Sequence, residues 1–173
     1  MLRKLAALAL LVGLCLPYAH GVRPIMAAWK GLPTILLVGF PLIAALVYGA
    51  HTLLPPFARF HERHARAIHA ILRLVYFGLV GGYLALAVTR RAGWPDPIDV
   101  AVALVVTGIL EVWHQRRGTM AARLPLLSLT VVGVPAVAVL VATLRGGALD
   151  YGGWVVTASW VLGVVAEAQV LGG

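Results

Sequence analysis

Charge is scarce in this chain. Asp, Glu, Lys and Arg make up 12% of its 173 residues, about half the roughly 25% of an average globular chain. A soluble domain of this size buries only ~70% of its surface, so 61% hydrophobic content and a mean hydropathy of +0.95 would leave apolar area that it could not cover. Disorder is excluded for the opposite reason, since material for burial is plentiful. Cysteine is nearly missing: Cys15 stands alone inside the first apolar run, which rules out a disulfide framework and a cysteine metal site. Phosphate-binding, zinc-protease, nucleophile-elbow and dinucleotide glycine motifs are all lacking. No catalytic residue, enzyme class or cofactor is called for by the sequence.

Acidic residues are also few, six against fourteen Lys and Arg, giving a net charge of +8. Basic loops on the cytoplasmic side of an inner-membrane protein account for that excess, so nucleic acid is not an expected partner. The expected surroundings are the lipid bilayer, with a homo-oligomer or a larger membrane complex as further partners.

Long apolar runs are abundant instead. A span needs ~20 apolar residues to cross about 30 Å of hydrocarbon. Six segments meet or approach this: about 4–19, 33–52, 67–88, 97–114, 124–144 and 151–170. The expected fold is an all-α polytopic membrane bundle of six transmembrane helices. Asp96 reads as an N-cap with Pro97 at the first helical position, Pro55-Pro56 closes the second helix, and Gly146-Gly147 closes the fifth. Trp29, Trp94, Trp113 and Trp154 fall near segment ends, where an interfacial aromatic belt belongs.

With the N-terminus inside, nine basic residues (Arg3, Lys4, Arg59, Arg63, Arg66, Arg73, Arg116, Arg117 and Arg123) fall on the cytoplasmic side. Five fall opposite: Arg23, Lys30, Arg90, Arg91 and Arg145. Both termini are therefore expected in the cytoplasm, at a bacterial-type inner membrane. Residues 1–19 also read as a secretory signal with a basic start and a short apolar stretch.

A shift of 94 residues aligns the chain with itself. His20-x-x-Arg23-x-x-Met26-Ala27-Ala28 falls on His114-x-x-Arg117-x-x-Met120-Ala121-Ala122, and Val38-Gly39-x-Pro41 falls on Val132-Gly133-x-Pro135. There are 17 identities over the 41 positions 7–47, without a gap. Leu, Ala and Val matches come cheaply, but His, Arg, Met and Pro align in the same register. Three spans separate the copies, so the halves, about 1–94 and 95–173, insert in opposite senses. This is an inverted-topology 3+3 repeat, a plan shared by many transporters. It also argues that the first segment is retained. Gly39/Pro41 and Gly133/Pro135 become paired helix breaks in matching helices, a pointer to a transport site; the plainer reading is local packing.

Features found in one half only are candidates for specialised work. At 100° per residue, Arg59, Glu62, Arg63, Arg66, His69 and Arg73 share one ~120° sector. Phe60, Ala67, Ile68, Ile71, Leu72 and Val75 lie opposite, with His61 and His64 among them. This reads as an amphipathic helix with arginines on anionic headgroups. Glu111-x-x-His114 puts two metal-capable groups on one helix face, although such sites normally need a second copy. Ser159, Gly163 and Glu167 recur every four residues, most simply a packing face. Topology gathers His51, His61, His64, His69, Glu111, His114 and Glu167 near the cytoplasmic leaflet, where ionisable groups are costly and often functional. The expectation is a small transporter or channel-like protein moving an ion or small solute, with this His/Glu cluster in gating or proton coupling. The alternatives are a metal- or haem-binding membrane redox protein, and a non-catalytic accessory subunit. Whether the cluster binds a metal is left open by the sequence.

Overall fold

The computed structural model describes residues 1–18, 23–27, 38–89, 96–116, 120–146 and 150–172. All regular structure among them is helical: α1 (Leu2–Cys15), one turn α2 (Pro24–Ala27), α3 (Phe40–Leu53), α4 (Pro55–Thr89), α5 (Pro97–Gln115), α6 (Met120–Leu144) and α7 (Tyr151–Gly172). Three helices hold stretches long and apolar enough to cross a membrane: Pro55–Ala85, Pro125–Leu144 and Tyr151–Leu171. His20, Trp29, Trp94, residues 33–37 of the second expected span and the side chain of His114 lie outside the described residues.

The first two expected spans are shorter than their apolar runs. α1 has 14 residues, about 21 Å at 1.5 Å per residue. It stops because Leu16 precedes Pro17 and is extended, at φ −92° and ψ 158°, as the proline ring demands of its neighbour. α3 also has 14 residues. It begins as two π-helical residues, Val38 and Gly39, relax into α-geometry with Pro41 in the first turn. Pro41 therefore accompanies a change of helix type. Pro135, its counterpart, sits inside the continuous α6 together with Pro125.

α6 is the hub, packing against α3, α4, α5 and α7. It is apolar on every side, and such a helix is buried all round: Leu126, Leu127, Leu129, Val131, Val134 and Ala138 lose all their exposure. α1 lies along α7 and α3, while α5 lies along α6 and α4. Glycines set the closest approaches. A Cβ on Gly13 would lie 2.7 Å from Val156, and one on Gly49 would lie 2.8 Å from Leu11.

α4 runs for 35 residues and is kinked at His64, where φ is −113° and ψ 18°. Its buried stripe is His61, His69, Leu72, Tyr76, Leu79 and Tyr83. This differs from the wheel drawn on the sequence: His69 is inside, while His64, Phe60, Ala67 and Ile71 are exposed. The kink does not shift the phase: at 100° per residue His61, ahead of it, shares one sector of about 80° with His69, Leu72, Tyr76, Leu79 and Tyr83 behind it. That buried sector lies at the border between the charged and the apolar sectors of the sequence wheel, and apolar periodicity alone does not say which neighbours cover a helix.

The bundle has two distinct ends. At one, Asp96 Oδ1 caps α5 by accepting the Ile98 N–H at 2.9 Å, and Arg145 after α6 reaches Asp96 at 3.1 Å and Asp99 at 3.0 Å. The C-terminus of α1 joins α7 there, through the Gly152 N–H and Pro17 carbonyl at 2.9 Å. The start of α1 and the close of α7 meet at the other end.

Candidate functional site

The chain turns from α3 into α4 across one residue. Leu54 precedes Pro55 and is held extended, at φ −114° and ψ 100°; its carbonyl accepts the N–H groups of Phe57 and Ala58 at 3.0 and 3.1 Å. Proline loses nothing in a first turn, where its missing N–H would have no partner. This corner sets His51, in the last turn of α3, against His61, in the second turn of α4. Their ring centres are 4.8 Å apart, edge to face at 88°.

Tyr48, His51 and Thr52 sit at positions i, i+3 and i+4 of α3 and so share a face. Tyr48 is fully buried. Its hydroxyl lies over Gly163, where a Cβ would stand 3.4 Å away, one turn of α7 from Glu167 on the same face. Glu167 is 1% exposed and accepts a 2.7 Å hydrogen bond from Arg3 Nε. The Arg3 guanidinium also faces His51. Four helices thus bring Arg3, Tyr48, His51, Thr52, His61 and Glu167 to one end of the bundle.

Five polar atoms in this group have no hydrogen-bond partner among the described residues: Tyr48 Oη, His51 Nδ1, Thr52 Oγ1 and both ring nitrogens of His61. Each orphaned buried group costs about 1–3 kcal/mol, and so many beside one another is uncommon in a native fold. His61 has no solvent exposure at all.

The sequence-derived cluster divides. His51, His61 and Glu167 come together. Glu111 joins a second group, accepting from Arg73 Nε on α4 at 3.2 Å and from Gln115 Nε2 on its own helix at 2.8 Å. His64 is exposed at the kink, its Nδ1 2.9 Å from the Phe60 carbonyl. Ser159, Gly163 and Glu167 do form one buried face of α7, and the Ser159 hydroxyl turns back to the Val155 carbonyl at 2.6 Å. Gly133 is covered by the Trp160 indole, whose Nε1 donates to the Leu129 carbonyl at 2.7 Å. Arg3, Tyr48 and Thr52 enter the site only through the tertiary structure, although the Tyr-x-x-His-Thr spacing puts three polar side chains on one face of α3.

Among the described residues, no three of His, Cys, Asp and Glu stand close enough to hold a metal ion. His51 and His61 also lie too near each other, edge to face, for a haem plane to pass between them. What the arrangement offers is proton chemistry: two imidazoles, a phenol, a hydroxyl and a carboxylate, each able to take up and release a proton. No family model, curated protein or solved structure matches the chain.

Proposed function

We propose that the protein is a small helical inner-membrane transporter or channel-like protein, moving an ion or small solute, in which the His51/His61/Glu167 group serves gating or proton coupling. The observation that carries this reading is the buried Glu167 carboxylate, paired with a one-third-exposed Arg3 and with Tyr48, His51 and His61 beside it, in a chain this poor in charge. Ionisable groups inside a membrane bundle are expensive and mark ion or proton routes.

The finer architecture belongs to the same reading: six spans in two oppositely inserted halves, with both termini cytoplasmic. Exchanging α1 with α5, α3 with α6 and α4 with α7 turns nearly every helix pairing into another that exists. α1–α3 becomes α5–α6, α1–α7 becomes α5–α4, α3–α4 becomes α6–α7, and α3–α6 maps onto itself. The exception is α4–α6, whose counterpart is slighter. Gly39/Pro41 and Gly133/Pro135 stand on the central α3–α6 pair, where a pseudo-two-fold axis would pass. Ala6, Ala7 and Leu10 of α1 have no exposure, which supports a retained helix over a cleaved signal.

Purified protein in proteoliposomes tests the reading, with cation and anion fluxes followed under an imposed potential. Flux that is lost in Glu167→Gln supports it; vesicles tight to every ion and solute tried overturn it. A second reading, an accessory subunit, has one observation in its favour. Gly78 and Gly81 of α4 are exposed with nothing within 4 Å, a surface on which another helix can pack closely. Co-purification of a stoichiometric membrane partner distinguishes it.

A further inference from the structure

We propose that His61, His51, Tyr48 and Glu167 form a proton relay, which makes H+ the ion that this protein moves or couples to. The inference rests on the transporter reading and adds the identity of the ion and its route.

His61 is buried in the second turn of α4 beside the exposed Phe60, Glu62 and Arg63, so that a proton from water reaches it by a small movement of these neighbours, and it offers two free ring nitrogens. His51 touches it edge-on with a free Nδ1. One turn back on α3, the Tyr48 hydroxyl is unpartnered, stands beside Thr52 and faces Glu167. Imidazole and phenol groups each accept a proton at one position while releasing one, so a line of them passes a proton without net change. A proton bound at one nitrogen of His61 displaces the proton on the other nitrogen toward His51. His51 in turn protonates Tyr48 Oη, and the phenolic hydrogen passes to a Glu167 carboxylate oxygen. Each group ends with the protons it began with, apart from Glu167, which becomes a neutral acid.

That last step has a consequence. Arg3 is held to α7 by the Glu167 carboxylate; a neutral acid loses the charge that fixes the guanidinium, and the α1–α7 contact loosens at this end. Proton arrival is thereby linked to movement of α1.

The charged and titratable groups around the relay among the described residues are Arg3 from α1, Glu62 beside His61 on α4, and Glu167 from α7. A divalent cation is the competing occupant of two imidazoles. It finds no third ligand among the described residues, and the Arg3 guanidinium beside His51 repels it.

The test uses the whole protein in vesicles carrying a pH-sensitive dye, with a potassium diffusion potential set by valinomycin. Proton uptake is expected, reduced at least about tenfold in His61→Gln, Tyr48→Phe and Glu167→Gln, and unchanged in Tyr76→Phe. Infrared titration of the wild type gives a readout that needs no variant: a protonated-carboxyl band that grows on acidification together with imidazole ring bands. Flux of Na+ or K+ without H+ overturns the relay and leaves the transporter reading standing. Flux of no ion overturns both. Proton flux indifferent to all three substitutions, infrared bands that do not change with pH, or stoichiometric Zn2+ binding at His51 and His61 overturns the relay alone.

Discussion

Arg3 Nε meets Glu167 Oε1 at 2.7 Å, joining the first helix to the last across 164 positions of sequence. The carboxylate is almost wholly buried and the arginine is one-third exposed. Breaking a fully buried pair from one side costs about 3–5 kcal/mol, because the remaining charge is stranded. Solvent at Arg3 reduces this, so Arg3→Met is expected to cost roughly 2–3 kcal/mol of stability in detergent. Arg3→Met combined with Glu167→Leu should be closer to wild type than Arg3→Met alone. A double-mutant cycle on thermal unfolding checks this; additive losses would deny the coupling.

Gly133 is a matter of packing against Trp160. A Cβ there would stand 2.8 Å from Cζ2 and 2.9 Å from Nε1 of the indole. Trp160 is anchored by its bond to Leu129 and cannot easily retreat. Gly133→Ala is expected to destabilise by about 1–3 kcal/mol, as overpacking does, and adding Trp160→Phe should recover part of the loss. A Gly133→Ala protein as stable as wild type would mean that the α6–α7 spacing is looser than described.

Glu111 depends on a cation from another helix. Its Oε1 receives both Arg73 and Gln115, and Arg73 is 37% exposed. Arg73→Met is expected to cost roughly 1–2 kcal/mol, discounted for that exposure. Glu111→Gln should cost less, because a neutral amide leaves no buried charge behind. Unfolding midpoints of the two variants in one detergent decide the order.

Acidification acts at the opposite end of the bundle. The Ile98 N–H first, and Arg145 second, hold the Asp96 carboxyl below its ordinary value. A depressed folded-state value makes the stabilisation complete above about pH 4, where an unfolded-chain Asp is ionised. It is lost as pH falls through the lower folded-state value. The unfolding temperature of the wild type should therefore decline below about pH 4 more steeply than that of Asp96→Asn. Parallel acid limbs would show that the cap does not hold its charge.

Much of the local structure was legible in the sequence for local reasons. Asp96-Pro97 starts α5 and Pro55 closes α3, because caps and proline sterics need no distant partner. The inward face of α4 was not legible. Its buried stripe, His61 to Tyr83, falls at the border between the charged and the apolar sectors, and apolar periodicity alone does not say which neighbours cover a helix.

The candidate site divides the same way. That His51, His61 and Glu167 share one end followed from counting spans. Their partition into one group, with Glu111 in another, did not. Sequence by itself determined a helical chain rich in apolar runs, whose positions 7–47 align with 101–141 at 17 identities. Tertiary structure alone decided that Arg3 belongs to Glu167 and Arg73 to Glu111, and that His61 rests on His51 beside Tyr48. Such pairings depend on the rotation and register of neighbouring helices, which close contacts at Gly13, Gly49 and Gly133 set; no window along a single helix contains that information.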